Sequence, residues 1–340
     1  MQRRRALILA IVLAVMLLQN GLSVQAGGSG LAMQFGDDRF GVALRGSLLQ
    51  AYTLGTRWFI NCGASKLSPP AGTIWVPCVR LDSSTIDARA LRDRVETNHG
   101  AYWLMGNEPN VSGAAQALSG EVYARALHDA AAIIKTADPT ARMVGPNILN
   151  FDFTCVACPG YESGHAWMDR FLSAYQAAYG DPPPLDIWSI HTYPLDFAHL
   201  PQTNAGLVEE QLRAFRSYLD LIPAFAGSPI WDTEFGTIWG YDGLEWRDEG
   251  NGVVRAYSVG DYRSDLLLEY MQEVCTWLVE NGPALHVDRW FFYVSYADGH
   301  EPWESVYGGI NLLDGPGADA RLTSFGQLYR ELAGLPSTEY

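Results

Sequence analysis

The feature that most constrains the fold is an alternation of short apolar runs with amphipathic helix patterns along most of the chain. The apolar runs lack the in–out alternation of a strand with one wet face, which is typical of parallel strands buried on both faces. The helical segments repeat apolar residues at intervals of four, three and four, so each carries one apolar stripe that faces a sheet. The predicted strands are 40–44, 57–61, 74–79, 102–105, 143–146, 187–190, 230–232 and 290–294.

Eight strands, each followed by a helix or a helix-length segment, predict an α/β fold, a single (β/α)8 TIM barrel. The alternative is a doubly wound open sheet, which usually carries a glycine-rich phosphate loop after its first strand. Residues 43–47, Ala-Leu-Arg-Gly-Ser, are not such a loop. Ser119 is the predicted N-cap of a helix that begins near Glu121, because its hydroxyl can accept a hydrogen bond from a free amide of the first turn.

Composition narrows the class of protein. The 340 residues are 48% hydrophobic, so a large core is available and disorder is disfavoured. The formal net charge of −15 repels phosphate backbones and anionic membranes, so nucleic acid is not expected as a partner. The composition predicts no particular oligomeric state.

The N-terminus has the pattern of an export signal. A basic segment at residues 3–5 precedes an apolar run at 6–18 that is short for a membrane span, and small residues at 23–26 offer a cleavage site. The alternative is an uncleaved membrane anchor. We expect a signal peptide at 1–26, a Gly-rich linker at 27–38, a catalytic domain at 39–340, and a secreted mature protein.

Five cysteines fit an oxidising compartment. Cys62 and Cys78 flank a loop and are expected to form a disulfide. Cys155 and Cys158 are close enough for a structural disulfide, with a redox pair or half a zinc site as alternatives. Cys275 lies on a predicted helix and is expected to be a buried free thiol.

In a (β/α)8 barrel the active site lies where the strands end, so the informative residues are those at which apolar strands become polar. Glu108 ends the fourth predicted strand and Glu234 ends the seventh. Two carboxyl groups over one cavity suit cleavage of a glycosidic bond, in which one protonates the leaving oxygen and the other attacks or activates water. Each glutamate alone is more often a solvated turn residue, and the pairing carries the prediction.

Further side chains are expected around these carboxyl groups. Asn107 is placed to bind a sugar 2-hydroxyl, His191 and Tyr193 end the sixth strand, and Arg80 follows the third and is expected to stabilise a carboxylate. Aromatic residues after the last two strands can stack on the apolar faces of sugars, although each could equally pack a loop. These aromatic residues are Trp239, Tyr241 and Trp246 after strand seven, and Trp303 and Tyr307 after strand eight. Tyr293 and Tyr296, in the segment of strand eight, are expected closer to the mouth.

These motifs resemble those of the retaining (β/α)8 glycoside hydrolases of clan A, which include cellulases, β-mannanases, β-xylosidases and endo-β-1,3-glucanases. The segment GNEPN is similar to the Asn-Glu-Pro motif on strand four, which implies that Glu108 is the acid/base. WDTEFG is similar to the strand-seven motif, which implies that Glu234 is the nucleophile, and HTY places Tyr193 beside it. The chain departs from the pattern because Trp290 falls early in strand eight, which leaves the sugar and the family within the clan open.

The resemblance implies an enzyme that cleaves β-glycosidic bonds by double displacement and needs no metal or organic cofactor, and the N-terminal signal pattern predicts that it is secreted. The expected substrate is a polysaccharide or oligosaccharide. Long aromatic loops favour endo attack on a β-glucan, ahead of mannan or xylan. Alternatives are a catalytically silent glycan-binding barrel, a transglycosylase that uses the same two glutamates, and a redox or metal protein built around Cys155 and Cys158.

Overall fold

The structure, a computed structural model, describes residues 34–63, 66–81, 86–111, 116–152, 163–250, 254–298 and 308–336. The strands are β1 Phe40–Ala43, β2 Trp58–Ile60, β3 Ile74–Val76, β4 Cys78–Val79, β5 Tyr102–Met105, β6 Arg142–Leu149, β7 Ile187–Thr192, β8 Ile230–Phe235, β9 Tyr241–Asp248, β10 Val254–Tyr262 and β11 Val287–Phe292. The α-helices are α1 Gln50–Leu54, α2 Ala88–Glu96, α3 Gly120–Ala137, α4 Gly164–Tyr179, α5 Ala205–Asp220, α6 Ser264–Asn281 and α7 Ser324–Leu332.

The main sheet is parallel and closes into a barrel, which confirms the predicted fold. Its strand order is β3-β2-β1-β11-β8-β7-β6-β5-β4. The two terminal members, β3 and β4, are consecutive pieces of the third predicted strand, separated by Pro77. Proline has no amide hydrogen and interrupts the ladder, but its carbonyl still accepts the Leu104 amide at 2.8 Å. The ring therefore runs through eight strand positions, with β5 fourth and β8 seventh.

Two hydrophobic clusters build the barrel. Helices and the outer faces of the strands form the larger one. The smaller cluster comes from strand residues alone and fills the interior; its members include Trp58, Leu104, Val144 and Trp231. Since this interior is packed at its base, only the carboxyl ends of the strands, here called the barrel mouth, are free to carry chemistry.

The helices begin as the sequence predicts. The Ser119 hydroxyl accepts the Val122 amide at the start of α3, which confirms the predicted cap. Side chains of Asp87, Ser163 and Thr323 cap α2, α4 and α7 in the same way. Such caps satisfy amides that have no partner within the helix.

Several strand bounds differ from prediction. β6, β7 and β8 each run two or three residues further, to Leu149, Thr192 and Phe235. These strands are longer because the first polar residues after each predicted strand still belong to the β-sheet. β11 starts earlier than predicted, at Val287.

An antiparallel hairpin, β9–β10, separates β8 from α6 and was not predicted. Leu244 and Tyr241 of the hairpin pack against the larger cluster, whereas Trp246 is 37% exposed. The hairpin begins at Tyr241, seven residues after Glu234 in the chain.

Other sequence predictions have defined outcomes. Cys62 and Cys78 form the predicted disulfide, and Cys275 is a buried free thiol, also as predicted. Cys155 and Cys158 lie outside the described residues, as do the predicted signal peptide and most of the predicted linker. Within the described part of the chain, no helix has the length and apolar character needed to cross a bilayer.

The last residues of the predicted linker are attached to the base of the barrel. The Asp37 amide donates to the Ala333 carbonyl at 2.8 Å. Asp38 accepts from Arg289 at 2.9 Å and from the Trp58 indole at 3.1 Å. These contacts tie residues 37 and 38 to the barrel.

Candidate active site

Glu108 lies just beyond the end of β5 and is only 2% exposed. Its backbone adopts φ +44°, a left-handed conformation that costs a non-glycine residue about 1–3 kcal/mol. The Glu108 amide donates to the Asn147 carbonyl at 2.9 Å, and the amide of Val111 donates back to the Glu108 carbonyl at 3.0 Å. These bonds hold the tight turn and fix the direction of the carboxyl group.

Glu234 lies in β8 and is 8% exposed. A β-bulge precedes it, since Asp232 and Glu234 face consecutive residues, Ile190 and His191, on β7. The residue left over is Thr233. A bulge re-aims the side chains beyond it, and here Asp232 and Glu234 make separate contacts. Asp232 accepts from Thr192 at 2.6 Å, whereas Glu234 accepts from the Tyr193 hydroxyl at 2.7 Å.

His191 connects the two glutamates. Its Nδ1 lies 3.1 Å from Glu108 Oε1 and 3.8 Å from Glu234 Oε2. One atom from each of the three residues lies within 4.8 Å of the others. The two carboxyl groups predicted from sequence to meet across the mouth are therefore neighbours in the structure.

The electrostatics follow from burial of these charges. Burial raises the pKa of Glu234 above 4.5, and the charge of Glu108 adds to the increase; His191, the Tyr193 hydroxyl and Arg45 offset part of it. For His191, burial lowers the pKa, but the negative charge of Glu234 and the hydrogen bond and charge of Glu108 outweigh it, so the net pKa is raised above 6.5. The site therefore favours a cationic imidazole between the carboxyl groups.

The charge of Arg45 acts on Glu234 and lowers its pKa. Arg45 lies just after β1, donates a hydrogen bond to the Tyr293 hydroxyl and stacks over the Tyr293 ring at 5.1 Å. Arg80 is exposed beyond β4, and its predicted role beside a carboxylate stays a prediction. Arg45 satisfied the same rule, a polar residue where an apolar strand ends, and that signal could have found it.

The remaining predicted site residues differ in position. Asn107 is half-buried beside Glu108. Tyr296 is half-buried and its hydroxyl donates to Asp298 at 3.4 Å. Trp239 is 3% exposed and its indole donates to the Gly243 carbonyl at 3.1 Å, so it packs the loop and offers no open face for a sugar. Trp303 lies outside the described residues.

A buried layer of asparagine side chains supports the mouth, and sequence reasoning missed it. Asn110 exchanges two hydrogen bonds with the backbone of Leu149, at 2.8 and 2.9 Å. Asn150 does the same with the backbone of Tyr193, with both bonds at 2.9 Å. These side-chain amides supply the hydrogen bonds that a neighbouring backbone would otherwise make where the β-strands end. The sequence signal for this layer was the asparagines in two segments that follow or end strands, "NILN" and "NEPN".

Glu108, His191 and Glu234 also form a group that could hold a metal ion by spacing alone, among the residues that the structure describes. Their mutual contacts are accounted for by a hydrogen bond and by opposite charges. Two close carboxyl groups with different partners can instead divide the roles of proton donor and nucleophile.

Comparison with known proteins identifies a family for this chain. The family described as glycosyl hydrolase catalytic core matches residues 46–329. No curated protein matches the chain at a significant level.

Solved structures share the fold. An endo-β-1,3-glucanase of GH128 subgroup II from Pseudomonas viridiflava aligns with a TM-score of 0.58 and 23% identity, over 89% of this chain and 99% of the other. A GH128 subgroup I endo-β-1,3-glucanase from Amycolatopsis mediterranei, in complex with laminaritriose, aligns at 0.53 and 23%, over 87% and 99%. A curdlan-specific GH128 subgroup III exo-β-1,3-glucanase from Blastomyces gilchristii aligns at 0.55 and 17%, over 86% and 97%.

At these identities the structural matches establish the barrel, and the family match establishes the class of enzyme. The matched segment begins just after β1 and ends within α7, so it includes both Glu108 and Glu234. This chain belongs to the glycosyl hydrolase catalytic core family and is a glycosidase built on a (β/α)8 barrel.

Proposed function

We propose that this protein is a retaining endo-β-1,3-glucanase in which Glu234 is the nucleophile and Glu108 is the acid/base. The observation that carries the proposal is the closeness of the two buried carboxyl groups, which each have one oxygen within 4.8 Å of the other. Retaining glycosidases hold their carboxyl groups about 5–5.5 Å apart, whereas inverting enzymes need about 6.5–9.5 Å to admit a water molecule.

In the first step, an oxygen of Glu234 attacks the anomeric carbon and the bond from that carbon to the leaving oxygen breaks. The electron pair of the broken bond goes to the leaving oxygen, which takes the proton of Glu108. The products are a glycosyl ester on Glu234, an ionised Glu108 and a free sugar hydroxyl.

In the second step, Glu108 removes a proton from water as the water oxygen attacks the anomeric carbon. The ester bond to Glu234 breaks, and its electron pair returns to the carboxylate. Two displacements on one carbon restore the β configuration, and both carboxyl groups return to their starting states.

Two partners of Glu234 offset part of the rise that burial causes in its pKa, which supports its role as the nucleophile. Glu234 accepts a hydrogen bond from Tyr193 and feels the charge of Arg45, both of which favour its ionised form. Glu108 has His191 as its side-chain partner at 3.1 Å, and this ring can give or accept a proton as the charge on Glu108 changes.

The substrate assignment rests on the GH128 relatives. The neighbours described above are β-1,3-glucanases, and two of them were solved with laminaritriose or glucose. Endo attack on a long chain needs binding surface beyond the cleaved bond, and Trp246 on the β9–β10 hairpin offers an exposed indole face of that kind.

Export is part of the proposal. The N-terminal signal pattern and the Cys62–Cys78 disulfide both favour a protein that folds outside the reducing cytoplasm. A polymeric glucan is also too large to enter a cell intact. Expression of the full chain, with mass determination of the secreted product, tests cleavage after residue 26.

The test of function measures reducing sugar released from β-1,3-glucan, β-1,4-glucan, mannan and xylan by the wild type and by Glu234→Gln and Glu108→Gln. We expect release from β-1,3-glucan that both substitutions nearly abolish, while Glu96→Gln, an exposed glutamate at the end of α2, retains it. Proton NMR of the first product should show the β anomer. Glucan binding without release would favour the silent barrel, and activity that survives Glu234→Gln would overturn the nucleophile assignment.

Azide separates the two glutamates. With an activated aryl β-glucoside, azide should restore turnover of Glu234→Gly and give an α-glycosyl azide, because azide attacks in place of the nucleophile. With Glu108→Gly it should give the β product, because azide then replaces water in the second step. The opposite pairing of products would exchange the two roles.

A further inference from the structure

Two strands that carry the site each contain one extra residue. On β6, Pro146 and Ile148 face consecutive residues of β7, which leaves Asn147 as the bulge. On β8, Asp232 and Glu234 face consecutive residues of β7, which leaves Thr233 as the bulge. Bulges bend a strand and re-aim side chains, and they recur beside active sites.

The two bulge residues are hydrogen-bonded to each other across β7. The Thr233 hydroxyl donates to Asn147 Oδ1 at 2.9 Å. Ser189, on the intervening strand, donates to the same oxygen at 2.6 Å and accepts the Asn147 amide at 3.1 Å. The Asn147 side-chain amide donates to the Gly106 carbonyl of the turn after β5 at 3.0 Å. Four neighbouring parts of the barrel therefore meet at one side chain.

This cluster, Asn147, Ser189 and Thr233, adjoins the residues that carry the two carboxyl groups. All three side chains are buried, with exposures of 2% or less. The Asn147 carbonyl holds the Glu108 amide, and Thr233 immediately precedes Glu234. Ser189 is two residues before His191 and so shares its face of β7. Each member of the cluster is thus linked through backbone to one member of the Glu108–His191–Glu234 group.

Asparagine suits this position because Asn147 has φ +59°, a left-handed conformation that asparagine tolerates better than most residues. A hydrophobic layer here would pack the barrel equally well but would leave buried bulge amides and carbonyls without partners. Polar residues at this depth therefore stabilise the local backbone geometry, because they give the buried amides and carbonyls of the bulges hydrogen-bond partners.

We propose that Asn147, Ser189 and Thr233 are positioning residues that lock the β6 and β8 bulges together and thereby set the separation and direction of Glu108 and Glu234. None of the three contacts the carboxyl oxygens through a hydrogen bond that the structure records, so they act through the backbone. The inference deepens the proposed function and rests on it for its kinetic consequence, but its structural consequence can be measured without a substrate.

The test is Thr233→Val, which keeps the size and branching of the side chain and removes the hydroxyl. We expect kcat on β-1,3-glucan to fall about 10- to 100-fold with KM within about twofold, because a misplacement of about 1 Å at reacting groups costs up to about 100-fold. Thr233→Ser restores the hydroxyl and should recover most of the loss. Ser189→Ala should show a smaller decrease in the same direction.

Thr237→Val is the matched control. Thr237 is equally buried, and its hydroxyl donates one hydrogen bond, to the Gln202 carbonyl at 2.7 Å, outside the Asn147, Ser189 and Thr233 cluster. Thr237→Val should lower the melting temperature as much as Thr233→Val does, while its kcat stays at the wild-type value. Equal kcat for Thr233→Val and Thr237→Val in an active enzyme would overturn the inference.

A measurement on the free enzyme keeps this test separate from the proposed function. NMR titration of the His191 ring reports the charges of Glu108 and Glu234 around it, and Thr233→Val should shift its midpoint whereas Thr237→Val should not. A wild type that cleaves no glycan would refute the proposed function alone. An unmoved His191 midpoint in Thr233→Val would refute the positioning role whatever the enzyme cleaves.

Discussion

The hydrogen bond from Tyr193 to Glu234 gives the sharpest test of the proposed chemistry. The phenol oxygen lies 2.7 Å from Glu234 Oε1 in a buried site, and the donor favours the ionised carboxylate that attack requires. A hydrogen bond to a charged group contributes about 1.5–3 kcal/mol. Tyr193→Phe removes the donor and little else, so this free energy should appear as a further rise in the pKa of Glu234.

The size of the rise follows from 1.36 kcal/mol for each pKa unit, so about 1.5–3 kcal/mol corresponds to about one to two units. Glu234 must be ionised to attack, so activity increases with pH through the acid limb of the profile. A higher pKa moves that limb to higher pH. Below the limb, kcat/KM should fall about 10- to 100-fold, and the loss should shrink as the pH rises.

The assay is kcat/KM on β-1,3-glucan oligosaccharides across the pH range of activity, for wild type and Tyr193→Phe. The acid limb reflects the coupled titration of Glu108 and Glu234 and not that of either residue alone. The quantity to compare between wild type and Tyr193→Phe is therefore the shift of the limb along the pH axis. Tyr218→Phe is the matched control, because that tyrosine also donates to a carboxylate, Asp169, at 2.8 Å but does so on the outer surface. An equal loss of activity at every pH, with the acid limb unmoved, would refute the reasoning.

Three further outcomes are expected. Burial raises the pKa of Asp232 well above 3.8, so as pH rises the unfolded chain loses this proton before the folded chain does, and the free energy of unfolding should fall above pH 3.8. Asp232→Asn should make this fall less steep, as measured by urea unfolding between about pH 5 and 7. The same slope in wild type and variant would contradict the prediction. Trp246→Ala should lower kcat/KM on long glucans more than on short oligosaccharides. Val259 is 44% exposed on the opposite face of the hairpin, and Val259→Ala should alter neither value. Equal losses for Trp246→Ala on all chain lengths would argue against a distal subsite. Cys62→Ser should lower the free energy of unfolding by about 3 kcal/mol, since the bridge to Cys78 closes a loop of 16 residues; a melting temperature insensitive to reductant in the wild type would count against this.

Local sequence was enough to predict the barrel because its signals are local. Buried parallel strands have continuous apolar runs, helices have a 3.6-residue period, and both patterns survive in a single sequence without knowledge of their neighbours. The same logic located Glu108 and Glu234, since each stands where an apolar run becomes polar, in the fourth and seventh strands of the ring.

Contacts around those glutamates were harder to predict because they depend on how the ring closes. Closure places β1 beside β11, which brings Arg45 onto Tyr293 and its charge to Glu234. Arg80 follows an equally apolar strand, and it is exposed. Nothing in either local segment distinguishes the two arginines.

What the sequence by itself determined was the class of fold, the disulfide and the helix cap, and it indicated the two glutamates that the structure brings together, because each depends on short-range pattern or on residue chemistry. What only the tertiary structure decided was the direction of the side chains at the mouth. The bulges at Asn147 and Thr233 shift the strand alternation by one residue, and a one-residue shift exchanges the two faces of a strand. Bulges are set by pairing between strands that are distant in sequence, so their effect on Glu234 could be known only once the barrel was closed.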